Sequence, residues 1–186
     1  GGGGAAMAGA LAAALASMVA NLTIGKEKFA DREPEVKELL KQAEAERVRL
    51  LTLVDEDAAV FNSFMSCYKL PKTTDEEKAA RTAAIRAAAK QAATVPLNIA
   101  RSSFAVLKLA DRLVVSGNPG VITDGACSGL LARAALRCAE YNVRINLGLT
   151  KDEAWNAQAA ADLKQLLADA EALETRLLAV TDKALQ

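Results

Sequence analysis

Residues Gly117–Asn146 read GNPGVITDGACSGLLARAALRCAEYNVRIN. The opening Gly117-Asn118-Pro119-Gly120 is turn chemistry, two glycines and a proline around one amide. From Gly125 onward there is no proline, and small or apolar residues recur at nearly every third or fourth position. The spacing therefore predicts one buried helix over 125–146. Thr123 or Asp124 is expected to cap it, with the Asp124 carboxylate at the positive end of the helix dipole. At about 100° per residue, Asp124, Ser128, Leu131, Ala135, Cys138, Asn142 and Asn146 share a narrow stripe. Its middle is small and apolar, and its ends are polar. An ordinary core helix has no need of such amides, so Asp124, Asn142 and Asn146 stand out as candidate site residues.

The rest of the chain reads as helix too. Prolines and aromatics are few, alanine is abundant, and no alternating run is long enough for a strand. The fold class expected is all-α, an up-and-down bundle of about five helices in one domain over residues 1–186. Residues 1–25 carry no charge. Ala5, Gly9, Ala13 and Ser17 form a small-residue stripe that predicts close approach of a neighbouring helix, in this subunit or a second one, rather than a membrane span. The second helix is expected from Pro34 to about Tyr68. On it, Asp57, Phe61, Phe64 and Tyr68 follow a spacing of four, three and four, so one carboxylate shares a face with three rings. A capping box at Thr74-Asp75-Glu76-Glu77 opens the third helix. Pro96 is expected to kink or break that helix after Val95 on its way to Ser116. A second capping box at Thr150-Lys151-Asp152-Glu153 opens the fifth helix, which runs to about Leu185.

Composition narrows the chemistry. With no histidine, the commonest general base and the commonest metal ligand are both missing, so no metal site is expected. The 23 basic and 23 acidic side chains cancel, leaving no net field to attract nucleic acid or an anionic membrane. Cys67, Cys127 and Cys138 form no CxxC pair and read as reduced thiols of a cytoplasmic protein.

The wording of Gly117–Asn146 resembles the formiminotransferase-cyclodeaminase and methenyltetrahydrofolate cyclohydrolase family. Three further stretches match in order: Gly1–Gly4 with AAMAGALAAALASMVANLTIGK, DEDAAVFNSFMSCYKLPKTTDEEKAARTAAI, and AATVPLNIA at Ala92–Ala100. The resemblance implies hydrolysis of 5,10-methenyltetrahydrofolate to 10-formyltetrahydrofolate, or loss of ammonia from the 5-formimino form, without a cofactor. It implies a folate substrate, and a homodimer is expected on the close-packing first helix as well. Gly2, Gly3 and Gly4 then lie near the folate, although Gly4 stands where serine is frequent and Thr123 replaces a frequent serine. The start at glycine suggests that preceding residues are missing.

Both reactions need a proton acceptor, a proton donor and an oriented pterin. Lys72, fixed behind Leu70-Pro71, is the preferred acid–base group. Asp57 and Asp124 are the candidate carboxylates, and Asn118, Asn142 and Asn146 with the glycines are the candidate substrate contacts. Asp124 and Asn142 stand 18 positions apart, about 27 Å along a helix. One pterin cannot reach both on one copy, so either a single end of the helix serves the site or opposed helices of two subunits share it. The competing reading is a non-catalytic helical oligomerisation module, which leaves the Asp57–aromatic face and the amides unexplained.

Overall fold

A computed structural model describes residues 1–186 as five long helices without strands. These are α1 (Gly2–Asn21), α2 (Glu33–Cys67), α3 (Asp75–Ser116), α4 (Ile122–Thr150) and α5 (Glu153–Ala184). Single 3₁₀ turns precede α2 and α4, at Glu27–Phe29 and Pro119–Val121. Successive helices pack against each other in up-and-down order, and α3 touches all four others. The all-α bundle expected from the sequence is the observed one.

The small-residue face of α1 makes this arrangement possible. Ala5, Gly9, Ala13 and Ser17 are all buried, but within the chain itself. At Gly9 a methyl group would already stand 3.0 Å from the Ser103 hydroxyl of α3 and 3.1 Å from Leu50 of α2. On its other flank, Ser128 of α4 donates to the Ala12 carbonyl at 2.7 Å. α1 is long and apolar enough to cross a membrane, yet more than half of it is buried among α2, α3 and α4, as in a core helix. Gly129 of α4 gives Leu177 of α5 a similar close seat, 2.4 Å from where a β-carbon would lie.

The helix boundaries follow local chemistry with three corrections. The capping box at Thr74 and Glu77 is formed as expected, and Pro34 sits in the first turn of α2. The fourth helix, however, starts at Ile122 straight out of the 3₁₀ turn. Val121 is its N-cap, and neither Thr123 nor Asp124 caps it. The turn is closed instead by Asn118, whose Oδ1 accepts from the Gly120 amide at 3.0 Å. The fifth helix is capped by Asp152, which accepts from the Trp155 amide at 3.1 Å. Thr150 belongs to α4, and Lys151 turns the corner in the left-handed region at φ 57°. Third, of the kink or break expected at Pro96, the break does not occur: α3 runs continuously from Asp75 to Ser116 with Pro96 inside it.

The reason for that continuity lies on α4. Pro96 has no N–H to offer the carbonyl of Ala92 one turn back. Asn146 takes the missing place, with its Nδ2 donating to the Ala92 oxygen at 3.0 Å. A side chain thus completes the backbone ladder of a neighbouring helix.

Candidate active site

The Pro96 turn forms part of a cavity of about 300 Å³ between α2, α3, α4 and the start of α1. Helix periodicity explains its lining. Asp57, Val60, Phe61 and Phe64 come from α2 at positions i, i+3, i+4 and i+7, and Asn142, Ile145, Asn146 and Leu149 come from α4 at the same spacing. Ala92 and Pro96 of α3 and Gly1 complete it. Phe61 and Ile145 remain largely exposed at the rim, 61% and 72% respectively.

Asp57 is fixed by the first helix. Gly3 donates its amide hydrogen to Asp57 Oδ2 at 2.8 Å, so the carboxylate satisfies one of the free donors at the α1 N-terminus. The helix dipole favours the charge there. A β-carbon on Gly2 would fall 2.1 Å from Asp57 Oδ1, and one on Gly1 2.9 Å from Asn142 Oδ1. The glycines therefore give the two polar side chains room to approach the backbone. Gly4 is different: nothing lies within 4 Å of a β-carbon there. A serine at that position would meet open space.

The amides are held equally firmly. Asn142 Nδ2 donates to the Cys138 carbonyl at 2.8 Å, and Asn146 Nδ2 donates to the Asn142 carbonyl at 2.8 Å besides Ala92. Phe64 leads outward to Tyr68, ring edge to face at 5.3 Å. The Arg81 guanidinium stacks over Tyr68 at 5.4 Å.

The structure thus gathers Asp57, Asn142 and Asn146 around one cavity, with Gly2 and Gly3 behind Asp57. It sets the other candidates elsewhere. Lys72 is exposed in the loop after α2, outside the cavity lining, and makes no hydrogen bond or ion pair within the chain. Asp124 is half-buried in the first turn of α4, remote from the Asn142 end. Asn118 is buried in a polar knot at that remote end. Its amide donates to Thr23 Oγ1 at 2.8 Å and its Nδ2 to the Leu22 carbonyl at 3.1 Å, tying the end of α1 to the start of α4. Ala92, Val60, Ile145 and Leu149 were not singled out from the sequence. The α4 pair was there to find, three and seven positions after Asn142.

No group of three or more His, Cys, Asp or Glu side chains is placed to hold a metal ion. The Asp152 carboxyl, away from the cavity, is held below its ordinary range by Lys90 of α3 and then by the Trp155 amide.

Comparison with known proteins gives the family of the chain. Residues 1–165 match the family model described as formiminotransferase-cyclodeaminase. The chain is 44% identical over 177 residues to the methenyltetrahydrofolate cyclohydrolase of Methylorubrum extorquens, covering 95% of this chain and 85% of that one. It is 33% identical over 166 residues to the formimidoyltransferase-cyclodeaminase of Sus scrofa, covering 89% of this chain but 31% of that longer protein. The crystal structure of formiminotetrahydrofolate cyclodeaminase from Thermotoga maritima superposes with a TM-score of 0.88 at 28% identity, over all of this chain and 88% of the other. The family read from the sequence is the one these matches give: the chain belongs to the formiminotransferase-cyclodeaminase family.

Proposed function

We propose that this protein hydrolyses 5,10-methenyltetrahydrofolate to 10-formyltetrahydrofolate. The observation that carries the reading is the charge pattern of the cavity. Asp57 is the one ionisable side chain lining it, and the other polar side chains are the neutral amides of Asn142 and Asn146. The methenyl bridge is an amidinium-like cation, so a partly desolvated carboxylate beside apolar walls attracts it and penalises anions. Asp57 then polarises water for attack on the bridge carbon. The tetrahedral carbon that results collapses with cleavage of its bond to N5, which takes up a proton, and leaves the formyl group on N10. Lys72, without an internal ion-pair partner, supplies that proton from the loop. A folate substrate requires nothing further of the chain's residues than binding, orientation and proton transfer.

A second reading, loss of ammonia from 5-formiminotetrahydrofolate, is favoured by the likeness to the Thermotoga maritima structure. Both reactions share the bridging carbon. The greater identity to a cyclohydrolase of similar length supports hydrolysis. The test is direct: purified protein is mixed with methenyltetrahydrofolate and its near-ultraviolet absorbance followed. Loss far above the buffer rate supports hydrolysis. Turnover of the formimino compound alone would establish the second reading, and turnover of neither would leave the oligomerisation module.

The working unit in this proposal is a cytoplasmic homodimer. Met7, Leu11, Met18 and Leu22 lie exposed along the outer side of the charge-free α1. On α4 the exposed residues Cys127, Leu130, Ala134, Cys138 and Tyr141 are spaced three, four, four and three apart. That spacing is one exposed stripe along α4, which antiparallel α4 helices of two copies, crossing on a two-fold axis at Ala134, would bury. The same axis would set Asp124 of one copy opposite Arg144 of the other, at the cavity end of α4. A second copy covering this face is supported by its apolar character, and a monomer in sedimentation at micromolar concentration would refute it.

A further inference from the structure

The cavity contains no lysine, arginine, serine, threonine or tyrosine side chain. Its polar side chains are Asp57, Asn142 and Asn146, and their hydrogen bonds are unevenly used. An amide NH₂ has two hydrogens. Both of Asn146's are taken, by the carbonyls of Ala92 at 3.0 Å and Asn142 at 2.8 Å. Asn142 gives one of its own to Cys138. Neither Asn Oδ1 accepts a hydrogen bond within the chain. The same is true of Asp57 Oδ1, since Gly3 occupies Oδ2.

From this we infer that Asn146, locked by the carbonyl that Pro96 leaves unpaired, presents only its oxygen to the cavity and reads an N–H donor on the ligand. This rests on the folate reading above and adds which edge of the pterin enters. The donor-bearing edge is that of the pyrimidine ring, with its 2-amino group and ring N–H. The anionic glutamate end finds no cationic side chain here and points outward, past the exposed rim of Phe61 and Ile145.

Pro96 is in this scheme a positioning residue. A residue with an N–H at position 96 would donate to Ala92 itself, compete with Asn146, and free that amide to turn. Asn146 could then present N–H instead of oxygen to the cavity. The proline fixes the sense of the amide and hence the hydrogen-bond polarity of the site.

Calorimetric titration of the full chain tests this with 5-formyltetrahydrofolate and its 2-desamino analogue, in which hydrogen replaces the amino group. For the wild type, the analogue should bind about 10-fold more weakly or worse, as loss of one well-placed hydrogen bond requires. In Asn146→Ala that ratio should fall to about threefold or less. In Pro96→Ala the ratio should fall as well, while the melting temperature holds or rises. A merely structural role for Pro96 would move the melting temperature and leave the ratio untouched, which would overturn its positioning role. Equal binding of the two ligands by the wild type would overturn the inference about Asn146 while leaving the folate reading intact. If 5-formyltetrahydrofolate does not bind and methenyltetrahydrofolate is not turned over, the folate reading falls and this inference with it.

Discussion

Gly3 and Asp57, 54 residues apart in sequence, are joined by a 2.8 Å hydrogen bond from the glycine amide to the carboxylate. The contact is at once a cap for α1 and the anchor of the cavity's single charge. The two roles separate in Asp57→Asn. Asparagine can still accept from Gly3, so the melting temperature should change little. The charge that attracts the cationic bridge is lost, and turnover of methenyltetrahydrofolate should fall about 100-fold or more. Unchanged turnover would reduce Asp57 to a helix cap.

The glycines in the first turn of α1 should differ in tolerance. Gly2→Ala places a methyl 2.1 Å from Asp57 Oδ1 and must displace it. A misplacement of about 1 Å at a reacting group can cost 100-fold, so kcat/KM should drop at least about 10-fold. Gly4→Ala meets open space and should stabilise the helix by up to about 1 kcal/mol. Steady-state kinetics and thermal melts on the two variants check the contrast, and equal tolerance would contradict it.

Lys72 should matter to chemistry and not to folding. The side chain is exposed and has no ion-pair partner within the chain. Lys72→Met should therefore leave the melting temperature in place and lower kcat by about 100-fold or more. Near-normal turnover would remove the proton-transfer role from this lysine and leave Asp57 to act alone.

Complementation tests whether Asp124 works across a dimer. Asp57→Asn and Asp124→Asn should each be impaired alone. Mixed, unfolded and refolded together in equal amounts, they should regain activity approaching about a quarter of wild type, because half the dimers are mixed and carry one intact site of two. No recovery, or full activity of Asp124→Asn alone, would confine Asp124 to the first turn of α4.

Acid should loosen the fifth helix through Asp152. Lys90 and the Trp155 amide hold its pKa below the usual carboxylate value. A lowered folded pKa stabilises the native state above the unfolded pKa, and that stability is lost as pH falls through the folded value. The stability gap between wild type and Asp152→Asn should thus be constant from neutral pH down to about pH 4 and shrink below it. Paired melts across that range measure the gap. A gap that widened in acid would reverse the assignment.

Much of this architecture was legible in the sequence because helix periodicity is local. The class, the five segments, the Thr74 capping box and the shared face of Asp57 with Phe61 and Phe64 all follow from spacings within a few residues. The misplaced caps of α4 and α5 show where local rules compete. Asn118 closes its own turn, so Thr123 and Asp124 are left inside the helix, and Asp152 rather than Thr150 reaches the free amide. Distant pairings carry no local signature. Nothing near Gly3 announces Asp57. Of the kink or break expected at Pro96, the break is absent because the missing hydrogen bond is supplied from Asn146, 50 positions on and in another helix. The same blindness left the partner of the α1 stripe open between this subunit and a second one, and Leu50 and Ser103 of the same chain fill it.

That arrangement at Pro96 has an evolutionary consequence. Proline at 96 without asparagine at 146 leaves the Ala92 carbonyl orphaned inside the bundle, and asparagine at 146 without the proline must share its acceptor with a backbone amide. Each residue makes the other costly to lose. Lineages that abandon one should abandon both, or reach the change through an intermediate that folds with the ligand site out of register. Two positions 50 apart in sequence would then be inherited as a single character.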